Sequence, residues 1–515
     1  MLVKINGSAV YGVEAIPITI EVNWMASGKD SSLVGLPDSA VKESMQRVES
    51  TIKTNGYDMP RTKLVINLAP ADIKKSGTAF DLPIAIGILS ASEQIGNVEA
   101  LSQYVIMGEL SLDGEIRPIK GALPIAIQAR KQEFKGLIVP KTNAREAAMV
   151  NSLKVYGVTH IKEVIDFFEN GETGLDALEV NTREEFFHSQ YDFDIDFADV
   201  KGQENIKRAL EIAAAGGHNA ILIGPPGAGK TMLAKRLPTI LPPLTLQEAL
   251  ETTKIHSVAG KLPENATLIS KRPFRSPHHT ISDVALVGGG GNPQPGEISL
   301  AHNGVLFLDE LPEFKRTVLE VMRQPMEERR VTISRAKLTL DFPASFMLIA
   351  SMNPCPCGFY NHPERTCTCP PGAVQKYLNK ISGPLLDRID LHVEVTPVPF
   401  SELSVLKKEQ NSETIRDKVI KAREVQGERY KNYPGIYANA QITSKMLTEI
   451  CVIDHVGQML LKAAMEKLNL SARAYDRILK VSRTIADLEG SEKIKPEYLA
   501  EAIQYRSLDR EGWAG

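Results

Sequence analysis

The sequence lacks three features that would narrow its class at once. Its 515 residues carry a formal net charge of only −3, so no overall basic field exists, and any binding to nucleic acid must rest on local basic patches. The richest apolar run, Leu82 to Ala91, is too short to span a bilayer. The N-terminus has no basic stretch followed by a continuous apolar core. We therefore expect a cytoplasmic protein without a membrane segment.

Cysteine is scarce, and its placement is uneven. Four of the five cysteines fall within fifteen residues, which in a cytosolic chain favours metal binding over disulfides. They form two Cys-X-Cys pairs and supply the four thiolates of a tetrahedral structural zinc site, although the usual gap within a pair is two residues. His362 is a reserve ligand, free or redox-active thiols are the alternative, and the spacing matches no ferredoxin-type run. The candidate zinc ligands are Cys355, Cys357, Cys367 and Cys369.

Composition is otherwise that of an ordinary globular protein, with 43% apolar and 24% charged residues. The length allows about three to four domains. Strand-like and helix-like segments alternate over residues 1–170, an acidic linker follows at 171–198, an α/β core occupies 199–400, and residues 401–515 are helical and charged. We expect a multi-domain α/β protein with a helical C-terminal domain.

One stretch organises the rest of the chain. The apolar run Ile221 to Ile223 leads into a glycine-rich loop that ends in Lys-Thr and is followed by apolar residues at helical spacing. Such a loop turns backbone N–H groups toward phosphate oxygens, its lysine contacts the β- and γ-phosphates, and its hydroxyl ligates Mg²⁺. The sequence therefore predicts an ATP site. The glycine-rich loop consists of Gly224, Pro225, Pro226, Gly227, Ala228, Gly229, Lys230 and Thr231.

Two later segments supply the acids and the polar group that such a site needs. Asp309 and Glu310 follow four apolar residues, which predicts a buried strand that ends in two carboxylates. Asp309 is expected to hold Mg²⁺ through water, and Glu310 to polarise the water that attacks the γ-phosphate. Asn353 ends the next apolar strand and is placed to contact the γ-phosphate or that water.

Two arginines that are distant from the glycine-rich loop in sequence are candidates for contacts to the nucleotide phosphates. Arg388 is a candidate arginine finger, which would reach the γ-phosphate of a neighbouring subunit; the alternative is a local ion pair with Asp387 or Asp390. Arg473 lies one turn into a helix capped by Ser471, and we expect it to reach back over the nucleotide. The alternative for Arg473 is a solvated helix face.

Basic groups also mark two loops. Residues 329–340 predict a β-hairpin whose turn carries Arg335 and Lys337, candidates for contacts to a DNA backbone; ordinary solvated charges are the alternative. Upstream, His278 and His279 are adjacent, but no further metal ligand stands at short spacing. Contacts to nucleic acid or between domains are the favoured interpretation of that loop.

The N-terminal block resembles the proteolytic domain of Lon proteases, on residues 76–81, 108–122 and 138–143. The resemblance places Ala79 at the position of the nucleophilic serine and Ile125 at that of the lysine. Neither side chain can attack a carbonyl or move a proton. The domain is therefore expected to be a scaffold for ring assembly or partner docking, without peptidase activity.

Throughout its length the chain resembles the ComM/YifB family of magnesium-chelatase-like AAA+ ATPases. Beyond the Lon-like block, the segments that carry this resemblance are residues 216–219, 272–280, 295–302 and 382–390. The resemblance implies a homohexameric ring that uses ATP and Mg²⁺ and acts on single-stranded or branched DNA as a helicase that promotes branch migration during uptake of transforming DNA, with recombination proteins as possible partners. It also assigns phosphate, metal, water-activating, sensing and trans-acting roles to Lys230, Thr231, Asp309, Glu310, Asn353, Arg388 and Arg473.

Two other functions are weighed against that motor. A magnesium-chelatase motor subunit would not need the Lon-like block or the cysteines. An ATP-dependent Lon-like protease would need the missing serine and lysine.

Overall fold

The N-terminal part of the chain folds around a seven-stranded sheet of order β3-β4-β2-β1-β5-β8-β9. The structure is a computed structural model that describes residues 1–25, 28, 31–263, 268–291, 293–335, 338–362, 364–397 and 410–509. The strands of this part are β1 Leu2–Tyr11, β2 Glu14–Trp24, β3 Ser32–Val34, β4 Leu64–Ala69, β5 Tyr104–Ile106, β6 Glu109–Leu110, β7 Ile116–Arg117, β8 Gly136–Pro140 and β9 Lys154–Val158. Its helices are α1 Ser39–Thr54, α2 Asp81–Ala91, α3 Val98–Leu101, α4 Ala122–Lys131, α5 Lys141–Ala147 and α6 Ile161–Glu169.

Local sequence accounts for the two main helices of this part. Helix α1 begins after Asp38, whose carboxylate accepts a hydrogen bond from Val41 N at 2.9 Å. Helix α2 is apolar on all sides and every one of its residues is buried, as expected for a helix in the centre of a core. Its apolar run therefore belongs to the protein interior.

The acidic linker contains a helix and is attached to the N-terminal core. Helix α7 spans Thr182–Ser189, and Phe186 on it is fully buried in the apolar cluster of the N-terminal part. Gln190 Nε2 then donates to Leu244 O at 2.8 Å. The linker thus packs on both parts that it joins.

A second sheet of five parallel strands follows, with the order β11-β14-β17-β10-β18. Its strands are β10 Ala220–Ile223, β11 Phe274–Arg275, β14 Val305–Leu308, β17 Met347–Met352 and β18 Leu391–Glu394. Short strands outside it are β12 Gly288–Gly289, β13 Gln294–Pro295, β15 Arg330–Arg335 and β16 Leu338–Pro343. The helices of this part are α8 Glu204–Gly216, α9 Lys230–Arg236, α10 Leu246–Ala259, α11 Asp283–Val287, α12 Glu297–Leu300, α13 Arg316–Glu320, α14 Arg323–Glu328, α15 Ala373–Leu378 and α16 Gly383–Leu386.

The C-terminal part is helical, as its sequence predicts. Its helices are α17 Ser412–Tyr430, α18 Ser444–Ile450, α19 His455–Lys467, α20 Ala472–Leu488 and α21 Pro496–Gln504. Ser471 caps α20 by accepting from Ala474 N at 3.2 Å. Within the described parts of the chain, no helix combines the length and the apolar character needed to cross a membrane.

Helix α10 joins the two sheet-containing parts. Ser257 on α10 donates its hydroxyl to the buried Glu146 carboxylate, and Ser257 O accepts from Gly121 N at 3.1 Å. Lys254 on the same helix contacts Glu14 Oε1 at 2.7 Å. Polar contacts from one helix therefore attach the part with the five-stranded sheet to the N-terminal part.

Candidate nucleotide-binding site

The glycine-rich loop follows β10 at the carboxyl end of the five-stranded sheet. A Cβ at Gly224 would lie 2.4 Å from Val395 O, so only glycine fits beside the neighbouring strand. Gly227 and Gly229 have φ values of +78° and +84°, a region that side chains disfavour. The glycines thus permit a tight turn whose backbone approaches its surroundings closely.

Lys230 lies inside the loop and its ammonium is buried. Its Nζ donates to Gly224 O at 2.6 Å, to Pro225 O at 3.0 Å and to Asn353 Oδ1 at 3.1 Å. Burial lowers the pKa of Lys230, while the carboxylates of Asp309 and Glu310 act in the opposite direction. The structure therefore brings together the lysine, the two acids and the asparagine that the sequence placed far apart.

Thr231 and Asp309 face each other across the carboxyl end of the sheet. Thr231 Oγ1 donates to Asp309 Oδ2 at 2.7 Å, and the Ser351 hydroxyl donates to the other carboxylate oxygen. A hydroxyl and a carboxylate are the oxygen ligands that Mg²⁺ prefers, so these residues fit the metal that the sequence predicts. Ser351 was missed by the sequence analysis, and its only signal is a polar residue in the apolar strand β17.

Glu310 begins the segment after β14 with a left-handed backbone, at φ +53°. Its N–H donates to Ser351 Oγ at 3.4 Å, and its Oε2 lies 3.5 Å from His279 Nδ1. The His279 ring lies 4.1 Å from that of His278 and packs edge-on against Phe314. His279 therefore contacts the candidate catalytic acid, a contact that the sequence alone did not predict.

The four predicted cysteines meet directly after Asn353. All four sulfur atoms lie within 4.8 Å of one another, and three of the pairwise distances are 3.3, 3.5 and 3.8 Å. The cysteines are free thiols. His362 is not part of this group, and its Nδ1 accepts from Glu364 N and Arg365 N at 3.1 Å each. We call Cys355, Cys357, Cys367 and Cys369 the cysteine cluster, a group that could hold a metal.

The two candidate arginines lie at the opposite, amino end of the sheet. Arg388 precedes β18, and its guanidinium pairs with Glu327 on α14 and donates to Pro384 O at 2.5 Å. This ion pair differs from both local pairs considered above, because Glu327 is distant in sequence. The strand β10 separates Arg388 from the glycine-rich loop by four residues, or about 13 Å at ~3.3 Å per residue.

Arg473 also lies at the amino end, where its guanidinium pairs with Asp387 at 2.5 Å. That Arg473 reaches back over the nucleotide stays a prediction. One turn later on helix α20, Arg477 pairs with the buried Asp390 at 2.9 Å, which shows that the helix begins on this side of the sheet. Burial acts to raise the pKa of Asp390, but Arg477 and His218 together hold it well below its usual value.

The predicted hairpin is present as β15 and β16, which pair antiparallel from Arg330 opposite Pro343 to Arg335 opposite Leu338. Lys337 lies outside the described residues, and the structure describes only the backbone of Arg335. Leu340 of the hairpin lies next to Gly12 in the β1–β2 turn, where an added Cβ would meet it at 3.6 Å. The middle of the hairpin thus lies beside the N-terminal part.

A parallel sheet with a glycine-rich loop after one strand and an acidic pair after another defines the class of P-loop nucleotide-binding proteins. The family model described as magnesium chelatase, subunit ChlI, matches residues 196–403. Models described as subunit ChlI of Mg-chelatase and as its C-terminal part match residues 20–143 and 409–506.

Full-length relatives narrow the assignment. The chain is 44% identical to the competence protein ComM of Haemophilus influenzae over 512 residues, which cover 99% of this chain and 98% of the relative. It is 43% identical to YifB of Escherichia coli over 511 residues, or 98% and 97% of the two chains. An archaeal Lon protease of Thermococcus kodakarensis is 27% identical over 173 residues, covering 32% of this chain and 27% of the relative.

The chain belongs to the ComM/YifB family of magnesium-chelatase-like AAA+ proteins and carries a Lon-protease-like N-terminal region. Membership of this family indicates ATPase activity with ATP and Mg²⁺.

Proposed function

We propose that the protein is an ATP-driven motor that works as a homohexameric ring and moves DNA. The observation that supports the ring is the separation of the site residues between the two ends of the central sheet. The glycine-rich loop, the acids and Asn353 occupy the carboxyl end, whereas Arg388 and Arg473 occupy the amino end. In a ring, the amino end of one subunit can meet the carboxyl end of the next.

The carboxyl end binds and hydrolyses ATP in this proposal. Lys230 contacts the β- and γ-phosphates, and Thr231 and Asp309 hold Mg²⁺, which neutralises charge on the phosphates when bound. Glu310 orients and deprotonates the attacking water, and Asn353 positions that water or the γ-phosphate. The 3.1 Å contact between Lys230 and Asn353 supports this assignment because it places both side chains at one point.

The amino end completes the site of a neighbouring subunit. Arg388 stabilises the charge that develops on the transferred phosphoryl group, the role of an arginine finger. Arg473 acts from the same side, because its partner Asp387 adjoins Arg388 in sequence. The ion pair between Arg388 and Glu327 holds the finger in place until it meets the neighbour's phosphate.

DNA is the proposed substrate for two reasons. A full-length relative is named a competence protein, and the β15–β16 hairpin turn carries Arg335 and Lys337 in sequence. Basic side chains on such a turn contact backbone phosphates without regard to base sequence, and the contacts weaken with salt. Movement of the hairpins after hydrolysis would drive helicase or branch-migration activity.

The cysteine cluster is proposed to hold a structural Zn²⁺. Four thiolates form a complete tetrahedral zinc site. Tetrahedral Zn–S bonds of about 2.3 Å place sulfur atoms ~3.8 Å apart, close to the 3.3 to 3.8 Å distances found here.

The test of the motor is the ATPase rate of the full chain without DNA, with single-stranded DNA and with branched DNA, at low salt. Stimulation by DNA, absent in Lys230→Ala, is the expected result. A rate that no DNA changes would count against a DNA motor and favour another substrate for the ATPase.

A further inference from the structure

The cysteine cluster is joined to the nucleotide site through a short piece of backbone. Asn353 directly follows β17, Cys355 comes two residues later, and Gly358 N closes a turn by donating to Cys355 O at 3.0 Å. None of the described residues from 353 to 372 lies in a helix or strand. Hydrogen-bonded secondary structure therefore does not hold this segment, and a cross-link between its cysteines would remove much of its freedom.

The turn between the two cysteine pairs packs directly on the glycine-rich loop. Gly358 has φ +85°, and a Cβ added there would lie 2.5 Å from Pro226 Cδ. This distance is far below van der Waals contact, so the backbone of Gly358 lies against the ring of Pro226. A shift of the cysteine turn would therefore change the space available to the glycine-rich loop.

The same segment forms one wall of the pocket beside the acids. An open pocket of about 430 Å³ is lined by Glu310, Asn353, Pro356 and Tyr377, among others. Pro356 stands between two of the cysteines, and Asn353 also accepts the hydrogen bond from Lys230. One backbone segment thus lines the pocket, provides the acceptor for Lys230 and packs on the glycine-rich loop.

We infer that the metal in the cysteine cluster sets the geometry of the phosphate site, so that nucleotide binding and hydrolysis both depend on Zn²⁺. This inference rests on the proposed ATPase function and on the proposed zinc. The ion cross-links residues 355–357 to residues 367–369 and so fixes the turn that presses Gly358 on Pro226 and holds Asn353 near Lys230. The metal acts by position alone and takes no part in the hydrolysis reaction.

The first experiment compares metal content and nucleotide binding in the full chain. Zinc is measured by inductively coupled plasma mass spectrometry, and affinity is measured by the fluorescence of a methylanthraniloyl-ATP with excess Mg²⁺. The variant Cys367→Ser/Cys369→Ser removes half of the ligands while leaving the residues next to Asn353 unchanged. Cys451→Ser is the matched control, because Cys451 lies in the core of the C-terminal part.

We expect about one zinc per chain in the wild type and in Cys451→Ser, in line with four thiolates per site. In the double variant, zinc is lost and nucleotide affinity falls because the glycine-rich loop and Lys230 are displaced. The ATPase kcat falls by about 100-fold, since displacement by ~1 Å can reduce a catalytic rate to that extent. In wild-type protein stripped by a chelator and desalted, added Zn²⁺ restores affinity. A zinc-free chain with wild-type affinity would overturn the inference, as would wild-type protein that contains no zinc.

A second variant separates the contact from the folding of the loop. Gly358→Ala keeps every cysteine but forces a methyl group against Pro226. It should retain zinc while losing nucleotide affinity, with a small drop in thermal midpoint because alanine disfavours the φ of +85° at this position. Unchanged affinity would contradict the proposed contact. Zinc-dependent binding without any stimulation by DNA would refute the DNA motor and leave the present inference standing.

Discussion

The two ends of the central sheet differ in what holds their charged groups. At the carboxyl end, Lys230 donates to Asn353 and Asp309 accepts from Thr231. Glu310 and Asn353 line an open pocket at the same end. At the amino end, Arg388 and Arg473 are already paired with Glu327 and Asp387 of the same chain. A group that must act on another subunit can be held by its own chain until assembly. The contrast supports the proposal that one site is built from two subunits.

The amino end is also connected to the hairpin. Glu327 belongs to α14, and the chain passes from α14 through Arg329 directly into β15. A change at the guanidinium of Arg388 can therefore reach the hairpin through a few residues. In the proposed motor, this connection would carry the effect of hydrolysis to the hairpin that contacts DNA.

The largest expected effect is on the ATPase kcat, and it distinguishes variants that lose hydrolysis from a variant that loses nucleotide binding. Glu310→Gln and Arg388→Ala should both lower the ATPase kcat by roughly 10³-fold, since an arginine finger contributes 10³ to 10⁵ in rate. Both should bind nucleotide with unchanged stoichiometry, whereas Lys230→Ala should lose binding. Steady-state hydrolysis and nucleotide titration check this prediction. A variant Arg388→Ala with wild-type kcat would show that the amino end has no part in the reaction.

A smaller effect is expected from His279, which contacts Glu310 at 3.5 Å. His279→Ala should lower kcat by about tenfold with little change in KM, because an outer partner that orients a reacting group is worth roughly 10- to 100-fold. His278→Ala is the matched control, since His278 bonds to Thr280 at 2.9 Å instead. If both variants lowered kcat equally, a general role of the loop would replace the positioning role of His279.

The prediction for the hairpin concerns DNA binding, and its variant leaves the residues at both ends of the sheet unchanged. Arg335→Ala/Lys337→Ala should weaken DNA binding several-fold and reduce the salt slope of log K by about 1.4 on single strands, at ~0.7 per lost phosphate contact. ATPase without DNA should be unaffected. Binding isotherms from 50 to 200 mM salt measure this, and an unchanged slope would move the DNA site elsewhere.

The last expected effect is on stability at the amino end of the sheet and lies outside the reaction. Burial, together with the nearby Arg477, lowers the pKa of Lys480 from 10.5 to about 8. Between these values the unfolded chain binds more protons than the native one, so the contribution of Lys480 to stability rises as the pH increases from about 8 to 10.5.

Lys480→Met removes this titration. The difference in unfolding free energy, wild type minus variant, should grow by ~2 kcal/mol between pH 7 and 10. Denaturant unfolding followed at both pH values checks it. A difference that stays constant with pH would mean that Lys480 titrates normally in the native protein.

Much of this organisation was predictable because it is local. Helix α1 is encoded in its own sequence, since Asp38 caps it and its apolar residues recur at helical spacing. The hairpin and the strands before Asp309 and Asn353 were predictable for the same reason. Helix α10, which spans Leu246–Ala259, was not among the predicted elements.

The unpredicted parts depend on residues that are distant in sequence. Arg388 pairs with Glu327 and not with its neighbours Asp387 or Asp390, and no local pattern encodes that choice. The contact of Gly358 with Pro226 and that of His279 with Glu310 likewise exist only after the sheet brings separate loops to one end. Apolar runs alone can identify the strands of a parallel sheet, but they do not show the order in which the strands lie.

The most direct test mixes two inactive variants, Lys230→Ala and Arg388→Ala, in one preparation. Each ring that contains both has interfaces where an intact glycine-rich loop from the Arg388→Ala chain meets an intact Arg388 from the Lys230→Ala chain. A site shared between subunits predicts ATPase activity in the mixture that neither variant shows alone. A mixture as inactive as its components would contradict the account.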